Sequence, residues 1–324
     1  MKLLVAQKLN KEMADLIMKK VGGVFDVDFL ARANEQERKS LLENADVIFA
    51  MNFRRDIRDE ELGLIKKAKL IQITLAGAEI IPYGKLRPDI TICSNGGAYS
   101  EPIAEHAIGM MLALARNFLP LHRQLSEGFF DQNTPHKMLK GATLGIVGFG
   151  GIGKLTAELA RSFVMKIFAI NSSGKTDEKV DFVGTLADLN YVLRESDFLL
   201  LTIALNNKTR KLIGEKELNL MKPDAVLVNV ARGELIDEKS LYNHLKTHPQ
   251  FKAGIEAWWI EPFNYPKFEV NYPFFELDNI LGSPHNSYLI DGIHLKALDL
   301  ALDNVLRFAR GDPLKNIQHR ENYI

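Results

Sequence analysis

Residues 143–153 read TLGIVGFGGIG, a run of strand-forming apolar residues that ends in three glycines, Gly148, Gly150 and Gly153. That spacing is a dinucleotide-binding fingerprint. The first glycine permits a tight strand-to-helix turn, the second lets a pyrophosphate approach the backbone, and the third lets helix and strand pack closely. The phosphates then sit at a helix N-terminus, here Gly150, Gly151, Ile152 and Gly153, where unpaired N–H groups and the dipole favour an anion. The flanks agree. Leu144 to Val147 are apolar and strand-like, and Leu155, Leu159 and Ala160 recur behind the glycines at helical spacing.

Outward from this centre, strand-like runs recur at 166–170, 197–203, 225–230, 253–257 and 279–282, with helix-compatible segments between them. The pattern predicts a doubly wound parallel sheet. Ahead of the fingerprint, runs at 2–6, 25–29, 45–50, 69–74 and 90–93 alternate with charged segments in the same way. Roughly the first 98 residues therefore read as a second parallel-sheet domain, without glycines of its own for phosphate. From Ser100 a long helix is expected, with Ile103, Ala107, Met110, Met111 and Leu114 on a core-packing face. Residues 118–140 are irregular and mixed, long for a loop, and read as an arm that covers the chain's own surface or contacts a partner subunit. A last amphipathic helix runs from about Ile293 to Arg310 and is stopped by Gly311 and Pro313.

The 324 residues are enough for two domains with sizeable cores, and 46% hydrophobic with 25% charged residues is ordinary globular composition. Lysine plus arginine (41) equals aspartate plus glutamate (41), so no net field draws nucleic acid or an anionic membrane. A small molecule is the expected partner, with no metal. The single cysteine, Cys93, cannot form an internal disulfide, and polar residues interrupt every apolar run near the N-terminus. A cytoplasmic location is expected.

Three further places put charged or titratable residues where strands end, which is where open α/β sheets bind ligands. In Asn229–Val230–Ala231–Arg232–Gly233 an arginine follows an apolar strand. Its planar fork suits a carboxylate, although a surface arginine at a helix start reads equally well locally. In Ala253 to Pro262 (AGIEAWWIEP), Glu256 stands near a strand end and Glu261 precedes a proline that disfavours helix, holding a carboxylate in a loop. In Gly282–Ser283–Pro284–His285 a histidine follows the last strand. A lone histidine is more often structural than catalytic. Met51–Asn52–Phe53–Arg54, after a strand of the first domain, reads either as a substrate-facing loop in which Phe53 selects a small or apolar side chain, or as a loop with a buried phenylalanine.

Taken together these segments resemble the D-isomer-specific 2-hydroxyacid dehydrogenases. The resemblance runs along nearly the whole chain, through Leu75–Ala76–Gly77–Ala78, Asn95–Gly96–Gly97, Ala104–Glu105–His106, the fingerprint, Asn229 to Gly233, Ala253 to Pro262 and Ser283–Pro284–His285, in family order. It implies a Rossmann-type dinucleotide domain (99–286) inserted in a flavodoxin-like substrate domain (1–98 with 287–324), with an active site between them. It further implies that Arg232 grips the substrate carboxylate and carbonyl, His285 exchanges the proton, Glu261 orients His285, and the N–H groups of Ala76 and Gly77 bind the other carboxylate oxygen. A carboxylate beside an imidazole favours the protonated ring, as a proton donor to a forming alkoxide requires. The implied activity is hydride transfer between NAD(P)H and a small 2-keto or D-2-hydroxy acid such as glyoxylate or hydroxypyruvate, in a homodimer. The alternative is an NAD(P)-sensing, corepressor-like interaction protein, disfavoured because the chain ends a few residues past its last helix.

Two departures from the family pattern are informative. Glu256 stands where an aspartate usually faces the nicotinamide carboxamide, one methylene longer; with Ala231 it is expected to contact the cofactor. Asn171–Ser172–Ser173–Gly174–Lys175 stands where an acid would bond the ribose 2′-hydroxyl of NAD and repel a 2′-phosphate. A neutral amide, two hydroxyls and the Lys175 ammonium replace it. NADP is therefore the expected cofactor, with NAD also accepted, even though NADP users more often carry an arginine here.

Overall fold

The computed structural model describes residues 1–263 and 265–324. Its contacts divide the chain into two compact units, Met1–Tyr99 with Ile290–Ile324, and Ser100–Leu289.

In the first unit β1 (Lys2–Val5), β2 (Asp26–Phe29), β3 (Val47–Ala50), β4 (Leu70–Ile73) and β5 (Thr91–Cys93) form one parallel sheet. Its order is β2-β1-β3-β4-β5, the flavodoxin-like order. Successive residues of a strand point to opposite faces, and the core follows that rule. Leu4, Ile48, Ile71 and Ile92 enter one buried cluster. Leu3, Val5, Val47, Phe49 and Leu70 enter the other, where Leu298, Ala301, Leu302 and Val305 of the helix Ile293–Arg310 cover them. The free edge of β5 is covered by the chain's own last segment, which forms an antiparallel bridge between Cys93 and Ile317 and a Gln318 N–H bond to the Ile92 carbonyl at 2.8 Å.

The second unit holds β6 (Thr143–Val147), β7 (Lys166–Ile170), β8 (Phe182–Gly184), β9 (Phe198–Leu201), β10 (Val226–Asn229), β11 (Lys252–Ile255) and β12 (Ile280–Gly282). All are parallel, in the order β12-β11-β10-β9-β6-β7-β8. The winding therefore reverses between β6 and β9, the switch point at which a doubly wound sheet opens a crevice. Both faces are buried. Leu144, Ile146, Leu200 and Val228 meet Ala107, Met110, Met111 and Leu114 of the helix Ser100–Ala115, while Val147, Leu199, Leu201, Leu227 and Ile255 form the opposite core.

Two elements depart from the reading of the sequence. Strand β8 was not expected; it follows the polar, charged stretch Lys175 to Asp181 and ends in a glycine, and it is secured by Phe182 packing on Phe168 and Tyr191. The arm expected to be irregular begins with a helix, Phe118–Ser126, entered through a left-handed Asn117 (φ 56°). Pro120 is tolerated because it sits in the first turn, where its missing N–H has no intrahelical partner to lose. Phe118, Leu119 and Leu125 of that helix are exposed, so its apolar residues do not report on this chain's own core. Among the described residues no helix is long and apolar enough to cross a membrane.

Candidate active site

The fingerprint lies at the switch point, and its three glycines answer to different constraints. Gly148 has φ 105°, and a Cβ there would lie 2.4 Å from the Ile203 nitrogen on β9's exit. A Cβ on Gly153 would lie 2.5 Å from the Gly148 carbonyl oxygen. Both positions are closed to side chains by the chain's own backbone. Gly150 is different: nothing lies within 4 Å of where its Cβ would be, and its φ of −92° is open to any residue. The fold itself does not need glycine at 150, and the vacant space in front of the helix Gly151–Ser162 is where a pyrophosphate would approach. The residues present thus fit a dinucleotide.

At the end of β7, Asn171 is spent on its own loop. Its Oδ1 accepts from the Ser173 N–H (3.0 Å), the Ser173 hydroxyl (3.1 Å) and the Gly174 N–H (2.7 Å), and its Nδ2 donates to the Lys175 carbonyl (2.8 Å). One of its two amide N–H donors is thereby used within the loop. Ser172 and Lys175 are exposed on the outside of the same turn.

Three adjacent strands carry the remaining residues at their carboxyl ends. After β10, the fully buried Asn229 folds the next turn back on itself: its Oδ1 accepts from the Ala231 N–H (3.0 Å) and its Nδ2 donates to the Arg232 carbonyl (2.8 Å). Arg232 is half-buried, with Nη1 donating to the Ala231 carbonyl at 2.7 Å. A Cβ on Gly233 would lie 2.5 Å from the Trp258 carbonyl carbon, so this turn packs backbone to backbone against the segment after β11. In that segment Glu261 is 12% exposed. Its Oε1 accepts from the Trp258 N–H at 2.5 Å, and its Oε2 lies 2.7 Å from Nδ1 of His285. The two tryptophans prove to be core: Trp258 Nε1 donates to the Ser283 carbonyl, and Trp259 stacks on Phe274 and donates to the Ile236 carbonyl. Ser283 in turn meets His106 across 3.1 Å, a structural tie to the helix Ser100–Ala115.

Other expected residues fall elsewhere. Glu256 is 1% exposed, and its Oε1 accepts from the Ser287 N–H at 2.8 Å. In the first unit Phe53 is completely buried among Ile48, Ala50, Ile57 and Leu62, and its expected contact with substrate is withdrawn. Ala76 and Gly77 follow β4 on a bend, and their N–H groups take no part in the ladder or turn bonds of that unit. Asn229 and Ser287 were overlooked as site-builders. The one available signal was a polar residue closing the apolar run Ala225 to Val230.

Residues 108–287 match the profile of the D-isomer specific 2-hydroxyacid dehydrogenase NAD binding domain. The chain is 32% identical over 285 residues to a hydroxypyruvate reductase of Thermotoga maritima, covering 87% of this chain and 89% of that one. The chain belongs to this family. It is 31% identical over 240 residues to a glyoxylate reductase of Thermococcus litoralis, covering 72% and 71% of the two chains. A solved glyoxylate reductase from Paecilomyes thermophila shares the fold, with a TM-score of 0.81 and 24% identity over 99% of this chain and 98% of that one. The protein is thus an oxidoreductase of the 2-hydroxyacid dehydrogenase class with an NAD-binding domain, and the corepressor-like alternative is not favoured.

The contrast among the glycines is testable. Gly148→Ala is expected to lower thermal stability measurably, because its Cβ meets backbone that cannot move aside. Gly150→Val is expected to leave the melting temperature within about 2 °C, no more than the shift that ~1 kcal/mol produces, yet weaken nicotinamide dinucleotide binding at least about tenfold. Differential scanning calorimetry and a fluorescence titration of the reduced dinucleotide check both arms.

Proposed function

We propose that the protein is an NAD(P)H-dependent reductase of small 2-keto acids, of the glyoxylate or hydroxypyruvate kind, with the D-2-hydroxy acid as product. The observation that carries this reading is the 2.7 Å contact between His285 Nδ1 and Glu261 Oε2, at the strand-end edge that also carries Arg232 and the glycine turn. The dinucleotide, when bound, supplies the hydride to the keto carbon. Everything else falls to the chain. With Nδ1 engaged by Glu261, Nε2 of His285 is the nitrogen that gives its proton to the keto oxygen as the C=O bond becomes C–OH. Arg232 holds the substrate carboxylate and polarises the carbonyl with its planar fork. The N–H groups of Ala76 and Gly77, on the unit assigned to substrate, take the other carboxylate oxygen. In the reverse direction His285 accepts the alcohol proton, so the same pair serves either way.

For the cofactor, we infer a moderate preference for NADPH with NADH accepted. The support is the absence of an acid at Asn171 and the exposed Ser172 and Lys175 beside it, which offer a hydroxyl and a positive charge to a 2′-phosphate. We further infer a homodimer. Phe118, Leu119, Leu125, Phe129, Phe130 and Met138 are all exposed on one arm, alongside an apolar groove of about 550 Å³. Contiguous apolar surface of this kind marks a subunit contact. The buried lone thiol of Cys93 suits a reducing, cytoplasmic compartment.

Three measurements test these readings. His285→Gln is expected to lower kcat by about 10²–10⁴ with glyoxylate or hydroxypyruvate while sparing dinucleotide binding; turnover near wild type from pH 6 to 8 would overturn the proton-transfer role. Arg232→Lys is expected to behave like Arg232→Ala, because an ammonium cannot supply the fork. In the second measurement, kcat/KM with NADPH should exceed that with NADH, and Asn171→Asp should swing the ratio toward NADH. Aspartate keeps the acceptor that the Ser173 and Gly174 N–H groups use and loses the bond to the Lys175 carbonyl. A wild type preferring NADH by about tenfold, roughly 1.4 kcal/mol, would sink the NADPH reading. Third, sedimentation equilibrium should return twice the chain mass, and a Leu119→Asp, Phe130→Asp double variant should return the monomer.

A further inference from the structure

Glu256 stands at the end of β11 as Asn229 stands at the end of β10, and both are buried polar residues closing apolar strands. Asn229 spends its side chain on the turn that carries Arg232. Glu256 spends its carboxylate on the neighbouring exit, from β12, which carries His285. Its backbone is fixed on both sides: its N–H donates to the Asn229 carbonyl at 3.0 Å, and its own carbonyl accepts from the His285 N–H at 3.1 Å. Two residues beyond His285, the buried Ser287 donates its N–H to Glu256 Oε1 at 2.8 Å. His285 is therefore held before and after by one residue.

The hold matters because His285 has φ 52°, in the left-handed region that a residue with a Cβ enters only at a cost. Such a conformation persists when surrounding contacts over-determine it. From that left-handed turn the imidazole meets Glu261, which stands five residues after Glu256 on the segment that follows β11.

We propose that Glu256 is a positioning residue for His285: by holding the Ser287 N–H, its carboxylate fixes the left-handed turn in which Nδ1 meets Glu261. This inference rests on His285 acting as the proton donor. It assigns the family's strand-end acid a different task in this chain, made available by the longer side chain. Aspartate should be a poor replacement, since the backbone at 256 is fixed and its carboxylate falls one methylene short of Ser287. Glutamine should be a fair one, because its amide oxygen can accept the same bond.

The test compares Glu256→Gln, Glu256→Asp and Glu256→Ala in the full chain by two independent readouts. One is the downfield proton resonance of the His285 Nδ1–H bonded to Glu261, assigned by its loss in His285→Gln; it needs neither substrate nor turnover. The other is kcat and KM for glyoxylate with the dinucleotide dissociation constant measured separately. Glu256→Gln should keep the resonance and lose less than about fivefold in kcat, whereas Glu256→Asp and Glu256→Ala should lose the resonance and at least about tenfold in kcat. Dinucleotide affinity should stay within about twofold throughout, because the carboxylate's bond is to the backbone of the turn that carries His285. A resonance that survives in Glu256→Asp and Glu256→Ala overturns the proposal. So does a variant series that weakens dinucleotide binding while kcat at saturation is unchanged, which would make Glu256 a cofactor contact. Should Glu256→Ala not fold, the aspartate and glutamine pair carries the comparison. If the wild type reduces no 2-keto acid, the functional reading fails, and the resonance alone still decides whether Glu256 holds the turn.

Discussion

A parallel sheet covered on both faces admits a polar side chain along its strands only where a partner is built in for it, as for Gln72 in β4, because an unpaired polar group in that interior goes without water. Chemistry is therefore confined to the places where the strands stop. In the second unit every strand from β6 to β12 points the same way, so all of those places fall along one edge. The glycine turn, the Asn171 loop, Arg232, Glu261 and His285 all follow a strand of that sheet, and their gathering there is a consequence of its being parallel.

Leaving a strand creates a second problem, since the backbone must turn while its N–H and C=O groups remain buried and paired. This chain meets it with side chains. Asn229 closes the turn before Arg232, the Trp258 N–H fixes one oxygen of Glu261, and Glu256 takes up the Ser287 N–H. Each supporting bond also removes freedom from a residue whose geometry matters, so satisfying the backbone and orienting the site are one arrangement. Gly233 shows the tightness of it: backbone of two exits in direct contact, with no room for a methyl group.

Much of this was legible before any coordinates. The strand-like runs at 2–6, 45–50, 69–74 and 197–203 contain the observed β1, β3, β4 and β9. The terminal helix was bounded correctly by Gly311, which adopts φ 73° as a helix-ending glycine does. Strand β8 and the helix Phe118–Ser126 were not legible. One follows a charged stretch and ends in a glycine, and the other has exposed apolar residues.

What the sequence determined by itself was the fold class, the two sheets, the phosphate turn and the candidates Arg232, Glu261 and His285, because periodicity and turn chemistry are written in consecutive residues. Only the tertiary structure decided where flexible or reorientable side chains finish. Phe53 went into its own core, Asn171 closed its own loop, and Glu256 reached a residue 31 positions away. A side chain with several rotatable bonds has several staggered choices of comparable energy. The choice falls to whichever partner an adjacent strand brings within hydrogen-bonding distance, and that partner is supplied by strand order and register, which no local stretch of sequence encodes.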